Sequence, residues 1–139
     1  MKPPILLRVA SVLTLIFCAG HTYGALSSFS RDPQEAAVFM AMQAFPFEIM
    51  GARRTHWQFY RGFGLLFSVT LLLLAVLLWQ LAGLAKRDPV GARPFVGSLF
   101  LAYMGFTILS GVYFFFAPAA FCAAVAICLA LAFTSARNT

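Results

Sequence analysis

Residues 65–85 read LLFSVTLLLLAVLLWQLAGLA, an unbroken run without one charged side chain. Such a run leaves a chain few ways to fold. About 20 apolar residues in an α-helix span the roughly 30 Å hydrocarbon core of a bilayer. Within that core every backbone N–H and C=O has to be paired inside the segment, which a helix does. The run extends to about residues 56–85, and three similar stretches accompany it at about 5–26, 94–116 and 118–134. The expected fold is all-α. It is a four-helix transmembrane bundle, one domain over residues 1–139, with a structured extracytoplasmic loop between helices 1 and 2.

Charge narrows the reading. Apolar residues make up 62% of the chain and charged ones 10%, against about 25% charged in soluble domains. That is too little polar surface to cover a globule in water. The net charge of +6 does not point to nucleic acid. Lys2 and Arg8 lie near the N-terminus, and Lys86, Arg87 and Arg93 lie in one short loop. Nucleic-acid binders group their positives on a solvent-facing patch; loop positives set membrane topology and attract anionic lipid headgroups. The partners expected are membrane lipids, not nucleic acid.

Topology follows from the same residues. With the N-terminus inside, Lys2, Arg8, Lys86, Arg87, Arg93 and Arg137 are cytoplasmic, and Arg31, Arg53, Arg54 and Arg61 lie outside. The tight basic loop from Lys86 to Arg93 decides the matter, because clustered positives in a short loop stay inside. Both termini are expected on the cytoplasmic side of a cell inner membrane. The opening MKPPILLR resembles a signal peptide, and Ala19, Gly20 and Ala25 offer cleavage positions. It is read as a retained span, because the other three need a partner to close a bundle.

Residues 27–55 form the long connection. Asp32 suits an N-cap, Pro33 the first helical position, and Glu35 the first turn. Ala37, Met40, Ala41, Ala44 and Phe45 then recur at helical spacing until Pro46 limits the helix. This predicts a short amphipathic helix on the bundle mouth or in the interface. Pro94 is expected to open the third span, and Ala117-Pro118 to make a turn before the fourth.

Packing in lipid needs small residues and polar contacts. Gly20 and Gly24 form a GxxxG, Gly97 and Gly105 share a face, and Ala119, Ala123, Ala126 and Ala130 make a stripe. Each reads either as a homo-oligomer seam or as packing within one bundle. Tyr113, Phe114, Phe115 and Phe116 read as an interfacial aromatic belt.

The unusual side chains gather at the outer end. His21 closes the first span; His56, Trp57, Tyr60 and Arg61 open the second; Glu48 precedes it. His56 and Tyr60 share a helix face. Trp57, Arg61, Gly64 and Ser68 form another stripe, whose small members suit a neighbouring helix, so Arg61 is expected to face the bundle mouth. Glu48 is the partner expected for Arg61, and Tyr60 or a backbone carbonyl for His21. These six residues are the candidate ligand site. The alternative reading makes a histidine at the helix end a capping or hydrogen-bonding residue and lets Arg61 snorkel to headgroups.

Other chemistry is not supported. The two histidines are 35 residues apart, without metal-ligand spacing. Met40 and Met42 read as core of the loop helix rather than soft-metal ligands. Cys18, Cys122 and Cys128 lie in apolar runs without a CxxC and read as small buried hydrophobes. No catalytic set, metal site or cofactor fingerprint is present. No Asp, Glu or Lys falls at the centre of a span, as proton- or ion-coupled transport usually requires.

Gly20-His21-Thr22 at the end of span one, and Phe59-Tyr60-Arg61-Gly62-Phe63-Gly64 at the start of a Leu-rich span two, resemble a family of small bacterial four-span membrane proteins of uncharacterised function. That resemblance implies a bacterial inner membrane and four spans, but no reaction or ligand. The plan is also similar in shape to other small four-helix membrane folds such as the DoxX-like group. The function expected is non-enzymatic binding of a lipid, small apolar ligand or protein partner at the outer mouth through His21, Tyr60 and Arg61. The alternatives are a small membrane enzyme with a His base acting on a lipid or quinone-like substrate, and an oligomeric transporter subunit.

Overall fold

The structure, a computed structural model, describes residues 2–27 and 32–136. Arg31 and Arg137, both used in the topology count, lie outside the described residues. Among the described residues, five helices and one β-hairpin follow in the order α1 (Pro3–Leu26), α2 (Pro33–Ala44), β1 (Pro46–Ile49), β2 (Ala52–Thr55), α3 (His56–Arg87), α4 (Pro89–Tyr113) and α5 (Phe116–Ser135). α1, α3, α4 and α5 are long and apolar enough to cross a membrane. At 20 to 32 residues each, they measure about 30 to 48 Å. The hairpin departs from the expected all-α fold: the connection 27–55 holds a helix and two strands.

Local signals account for the element ends. Asp32 caps α2, its carboxylate accepting from Gln34 N at 2.8 Å, with Pro33 in the first turn. The helix stops at Ala44 because Phe45, the residue before Pro46, is extended, as residues before proline prefer. The hairpin turns on Met50 and Gly51, both at positive φ (49° and 77°), the backbone of a two-residue type I′ loop. Thr55 and Gln58 open α3 with a reciprocal capping box. Thr55 N donates to Gln58 Oε1 at 2.9 Å, and Gln58 N to Thr55 Oγ1 at 3.2 Å.

Two boundaries correct the sequence expectation. The basic segment from Lys86 to Arg93 is not a loop. α3 runs to Arg87, Asp88 alone connects, and α4 begins at Pro89 rather than Pro94. Asp88 Oδ1 accepts from Gly91 N at 2.8 Å and so caps α4, while Lys86 and Arg87 complement the C-terminal dipole of α3. Pro94 lies inside α4. Likewise Ala117-Pro118 is helical, and the connection before α5 is Phe114-Phe115.

The Asp88 cap needs a glycine three residues on, because a Cβ on Gly91 would collide with the Asp88 carboxylate. Gly83 in α3 has open space around it. Gly83→Ala is therefore expected to stabilise the fold by about 0.5–1 kcal/mol through helix propensity. Gly91→Ala should gain nothing, since the lost cap costs about 1 kcal/mol. Thermal unfolding of both variants in mild detergent checks the contrast.

The chain divides into two compact units, Met1–Cys18 with Leu71–Thr139, and Ala19–Thr70. The first unit is packed around small and hydroxylated side chains. Buried positions are Leu6, Leu7, Ala10, Ser11, Thr14, Phe17 and Cys18 on α1, and Leu71, Ala75, Leu78, Leu81, Ala82 and Ala85 on α3. α4 adds Ala92, Val96, Tyr103 and Ser110, and α5 adds Cys122, Val125, Ala126, Leu129 and Ala132. Ser11 Oγ donates to the Ala75 carbonyl at 2.6 Å, Thr14 Oγ1 meets Tyr103 Oη at 2.7 Å, and Phe17 stacks on Phe121 at 5.7 Å. Outward-facing positions are large and apolar, among them Leu72, Leu73, Leu77, Ile108 and Ile127. Hydroxyls inside and aliphatic chains outside are the arrangement that suits lipid rather than water.

Small residues serve this packing. Gly97 lets the Phe133 ring approach, and that ring also lies 4.2 Å under the Arg93 guanidinium. Arg93 Nε is buried without a hydrogen-bond partner; the ring face covers it. The alanine stripe of α5 is offset from the seam. Ala126 is buried, whereas Ala119, Ala123 and Ala130 are half-buried. Cys18 and Cys122 are buried, Cys128 is half-buried, and all three are free thiols.

Candidate functional site

The unit Ala19–Thr70 carries all six sequence-derived site residues. Its elements are joined mainly by rings. Phe39 of α2 meets Trp57 edge-on at 5.2 Å, and Trp57 stacks on Tyr60 at 5.7 Å. Phe47 of β1 lies 4.9 Å from His56 and 5.2 Å from Phe59. The hairpin is thus laid against the first turn of α3. In its antiparallel register Phe47 faces Arg54 and Glu48 faces Arg53.

The helix α2 is nearly apolar all round, and the face it turns inward is not the expected one. Ala36, Phe39 and Met42 are half-buried, while Ala37, Met40, Ala41, Ala44 and Phe45 are exposed. Met40 is therefore not core. With glutamine its only polar residue after the first turn, the sequence has no polar face by which spacing could choose.

His21 finds a backbone carbonyl, not Tyr60. Its Nε2 is 2.9 Å from Gly64 O, and its ring meets Phe67 edge-on at 5.0 Å. A carbonyl only accepts, so Nε2 carries the proton and donates. Thr22 Oγ1 donates to Ser68 Oγ at 2.9 Å, and Ser68 Oγ to the same Gly64 carbonyl at 3.2 Å. Gly64 admits the Ala25 methyl, which a Cβ there would meet at 3.3 Å. Gly64 and Ser68 face another helix, as their spacing predicts, and this polar clasp fastens the end of α1 to α3.

Arg61 belongs to that stripe by spacing but is exposed, and among the described residues it forms no ion pair with Glu48. Glu48 lies on β1 opposite Arg53 in the hairpin register. Tyr60 and His56 are exposed, and Trp57 is half-buried. Of the six candidates, Trp57 and Tyr60 are in ring contact, His21 is engaged with Gly64 and Phe67, and His56 lies against Phe47.

A different constellation forms a cavity. Arg54, Gln58, Phe59, Gly62, Phe63 and Leu66 line an open groove of about 500 Å³. Positions 58, 62 and 66, with 59 and 63, share one face of α3, on the opposite side from Gly64 and Ser68. Gly62 forms the gap in its floor; a Cβ there would meet nothing within 4 Å. From Gln58 to Leu66 the groove covers about 12 Å of helix. Its character changes along that length. Arg54 and Gln58 stand at one end, and Phe63 and Leu66 at the other, where the uncharged run begins. Arg54 Nη1 donates to Arg53 O at 2.8 Å, which leaves its other N–H groups to bind an anion. The sequence carried a signal for this face in the i, i+4, i+8 spacing of 58, 62 and 66. Arg54 joins it only because β2 folds back on α3.

Among the described residues, no three His, Cys, Asp or Glu side chains come together to hold a metal ion. Comparison with family models, curated proteins and solved structures gives no match.

Proposed function

We propose that this chain is a multi-pass integral protein of a bacterial inner membrane, a four-helix transmembrane bundle with both termini cytoplasmic. Its role is to hold an amphiphile, a lipid with an anionic headgroup, at its outer mouth without chemical turnover. The single observation that carries this reading is the groove on α3, whose cationic end and apolar end lie in the order of a lipid's headgroup and chain. Leu66 belongs to the uncharged run that suits the hydrocarbon core, while Arg54 and Gln58 precede it by the depth of an interface. The topology is supported by Lys86 and Arg87 at the end of α3 and by the exposed aromatic belt at Tyr113, Phe114, Phe115 and Phe116. The bacterial setting rests on the resemblance carried by His21 and its neighbours and by the Phe59–Gly64 motif.

Arg54→Ala tests the reading. Native mass spectrometry of protein extracted gently from its own membrane should find an anionic lipid on the wild type. Retention in Arg54→Ala should fall about tenfold or more, since a charge-assisted hydrogen bond contributes about 1.5–3 kcal/mol. Equal retention by both proteins would reject the groove. Loss in Arg61→Ala instead would favour a site built on His21, Tyr60 and Arg61. A His-based enzyme is the second reading: His21 Nε2 is engaged as a donor to Gly64 O, and His56 is exposed beside Phe47. A homo-oligomer keeps one favouring observation: Gly20 and Gly24 have open space beside them, the requirement of a GxxxG contact. The copy number in the same spectra decides it.

A further inference from the structure

The connection between α1 and α3 presents more apolar surface than a water-facing loop tolerates. No residue of α2 is buried. Met40 and Phe45 are 68% and 69% exposed, Ile49 is half exposed, and Met50 at the hairpin tip is fully exposed at 101%. Large exposed apolar side chains gathered on one short segment suit a contact with a partner or a membrane.

Met50 has a second unfavourable property. Its φ of 49° lies in the left-handed region, where a side chain with a Cβ is strained. Asparagine or glycine would suit the first position of this turn. The turn therefore has a residue that neither its backbone geometry nor water favours. An apolar environment at the tip removes one of these costs, and strained residues of this sort gather at functional contacts.

Charge and geometry identify the environment. On the hairpin face that does not carry Phe47 and Arg54, Arg53 sits opposite Glu48, and among the described residues its side chain forms no ion pair. Met50 therefore forms an apolar tip with Arg53, and Glu48 opposite it, one step back along the strands. β2 runs into α3 with no residue between, and Met50 is five residues from Thr55. That distance is at most about 17 Å of strand. The tip is tied within reach of the bilayer edge by the helix that enters it.

We propose that the segment from α2 to the hairpin tip is seated in the outer interface of the bilayer, with Met50 among lipid chains and Arg53 on anionic lipid headgroups. This inference rests on the four apolar helices being membrane spans and is independent of the α3 groove. Exposed apolar groups with flanking cations are what such interfaces take up.

The test uses the full chain in nanodiscs, with Cys18, Cys122 and Cys128 replaced by alanine and one cysteine introduced by Met50→Cys, Ile49→Cys or Met40→Cys. Each carries a polarity-sensitive fluorophore. Discs contain phosphatidylcholine alone or with phosphatidylglycerol. In the phosphatidylglycerol discs, the labels at 49 and 50 should be quenched by headgroup-region nitroxide lipids. Iodide quenching should fall at least fivefold below that of free dye. Arg53→Gln should abolish the difference between the two lipid compositions. With Met50→Asn, the label at Ile49→Cys should lose at least half of its lipid quenching while the hairpin stays folded. Iodide quenching equal to that of free dye in both disc types would overturn the proposal. Shielding from iodide without quenching by lipid would overturn it too, and would identify a second copy or another protein as the occupant. Because Ile49→Cys leaves the strained position untouched, a misfolded Met50→Cys does not block the result. Arg54→Ala should leave these signals unchanged even where it empties the groove.

Discussion

Replacing Tyr103 with alanine is expected to destabilise the unit built from the N-terminal part of α1, the C-terminal part of α3, α4 and α5 by about 3–5 kcal/mol. Tyr103 is the largest fully buried side chain of the structure, at 0% exposure, and its ring meets Phe106 edge-on at 5.7 Å. Its hydroxyl contributes much less than its ring. Thr14 Oγ1 donates to Ala10 O at 2.9 Å, so the Tyr103 hydroxyl is the donor in the 2.7 Å contact with Thr14. Tyr103→Phe removes that donor and leaves Thr14 with its own bond made. Its cost should be near 0.6 kcal/mol, the average for hydrogen bonds between membrane helices. Reversible unfolding in detergent separates the two variants. Equal losses in both would mean that the hydroxyl, and not the volume of the ring, holds α4 in place.

Gly62→Trp should have the largest effect on binding, and in an unusual combination. The added Cβ meets nothing, so the indole should enter the groove without moving the backbone and fill the space proposed for a lipid chain between Phe59, Phe63 and Leu66. Lipid retained in native mass spectra should fall more than tenfold. Helix stability should hold or rise slightly, because glycine in a helix interior is unfavourable by about 0.5–1 kcal/mol relative to alanine. A variant that loses its lipid because it unfolds would lose both. Wild-type retention in Gly62→Trp would show that the lipid sits elsewhere.

What the sequence reveals of this chain depends on how far each signal is local. The four long apolar helices are written in runs of about twenty uncharged residues, and no tertiary detail is needed to find them. Asp32-Pro33 marks the start of α2 for the same reason: cap, proline and first turn are neighbours. The same signal recurs at Asp88-Pro89, yet the basic residues around it read as a loop, because their charge masks a helix junction only one residue long. The hairpin is harder. Met50-Gly51 is a weak turn signal beside Asn-Gly, and four-residue strands carry little alternation. The inward face of α2 is not legible at all, since a helix apolar on every side fits any rotation.

The candidate site shows the same division. Gly64 with Ser68 toward a helix follows from spacing along α3, whereas for His21 the sequence left Tyr60 and a backbone carbonyl open and the fold supplies the Gly64 carbonyl. The Arg61–Glu48 pair fails because proximity in sequence says nothing about a strand turning Glu48 toward Arg53. The groove needs both levels. Its floor at Gln58, Gly62 and Leu66 is periodic and readable, whereas Arg54 arrives only through the fold of the hairpin.

The junction between β2 and α3 has a mechanical consequence. Thr55 is at once the last residue of the strand and a member of the capping box that starts the helix. No flexible residue separates them, so the hairpin acts as a lever arm fixed to a shaft. A roll of about 10° in the first turn of α3 would sweep the tip through about 3 Å, given an arm of about 17 Å. Small rotations of the helix are thus magnified at Met50, and a force on Met50 is returned to α3 as torque.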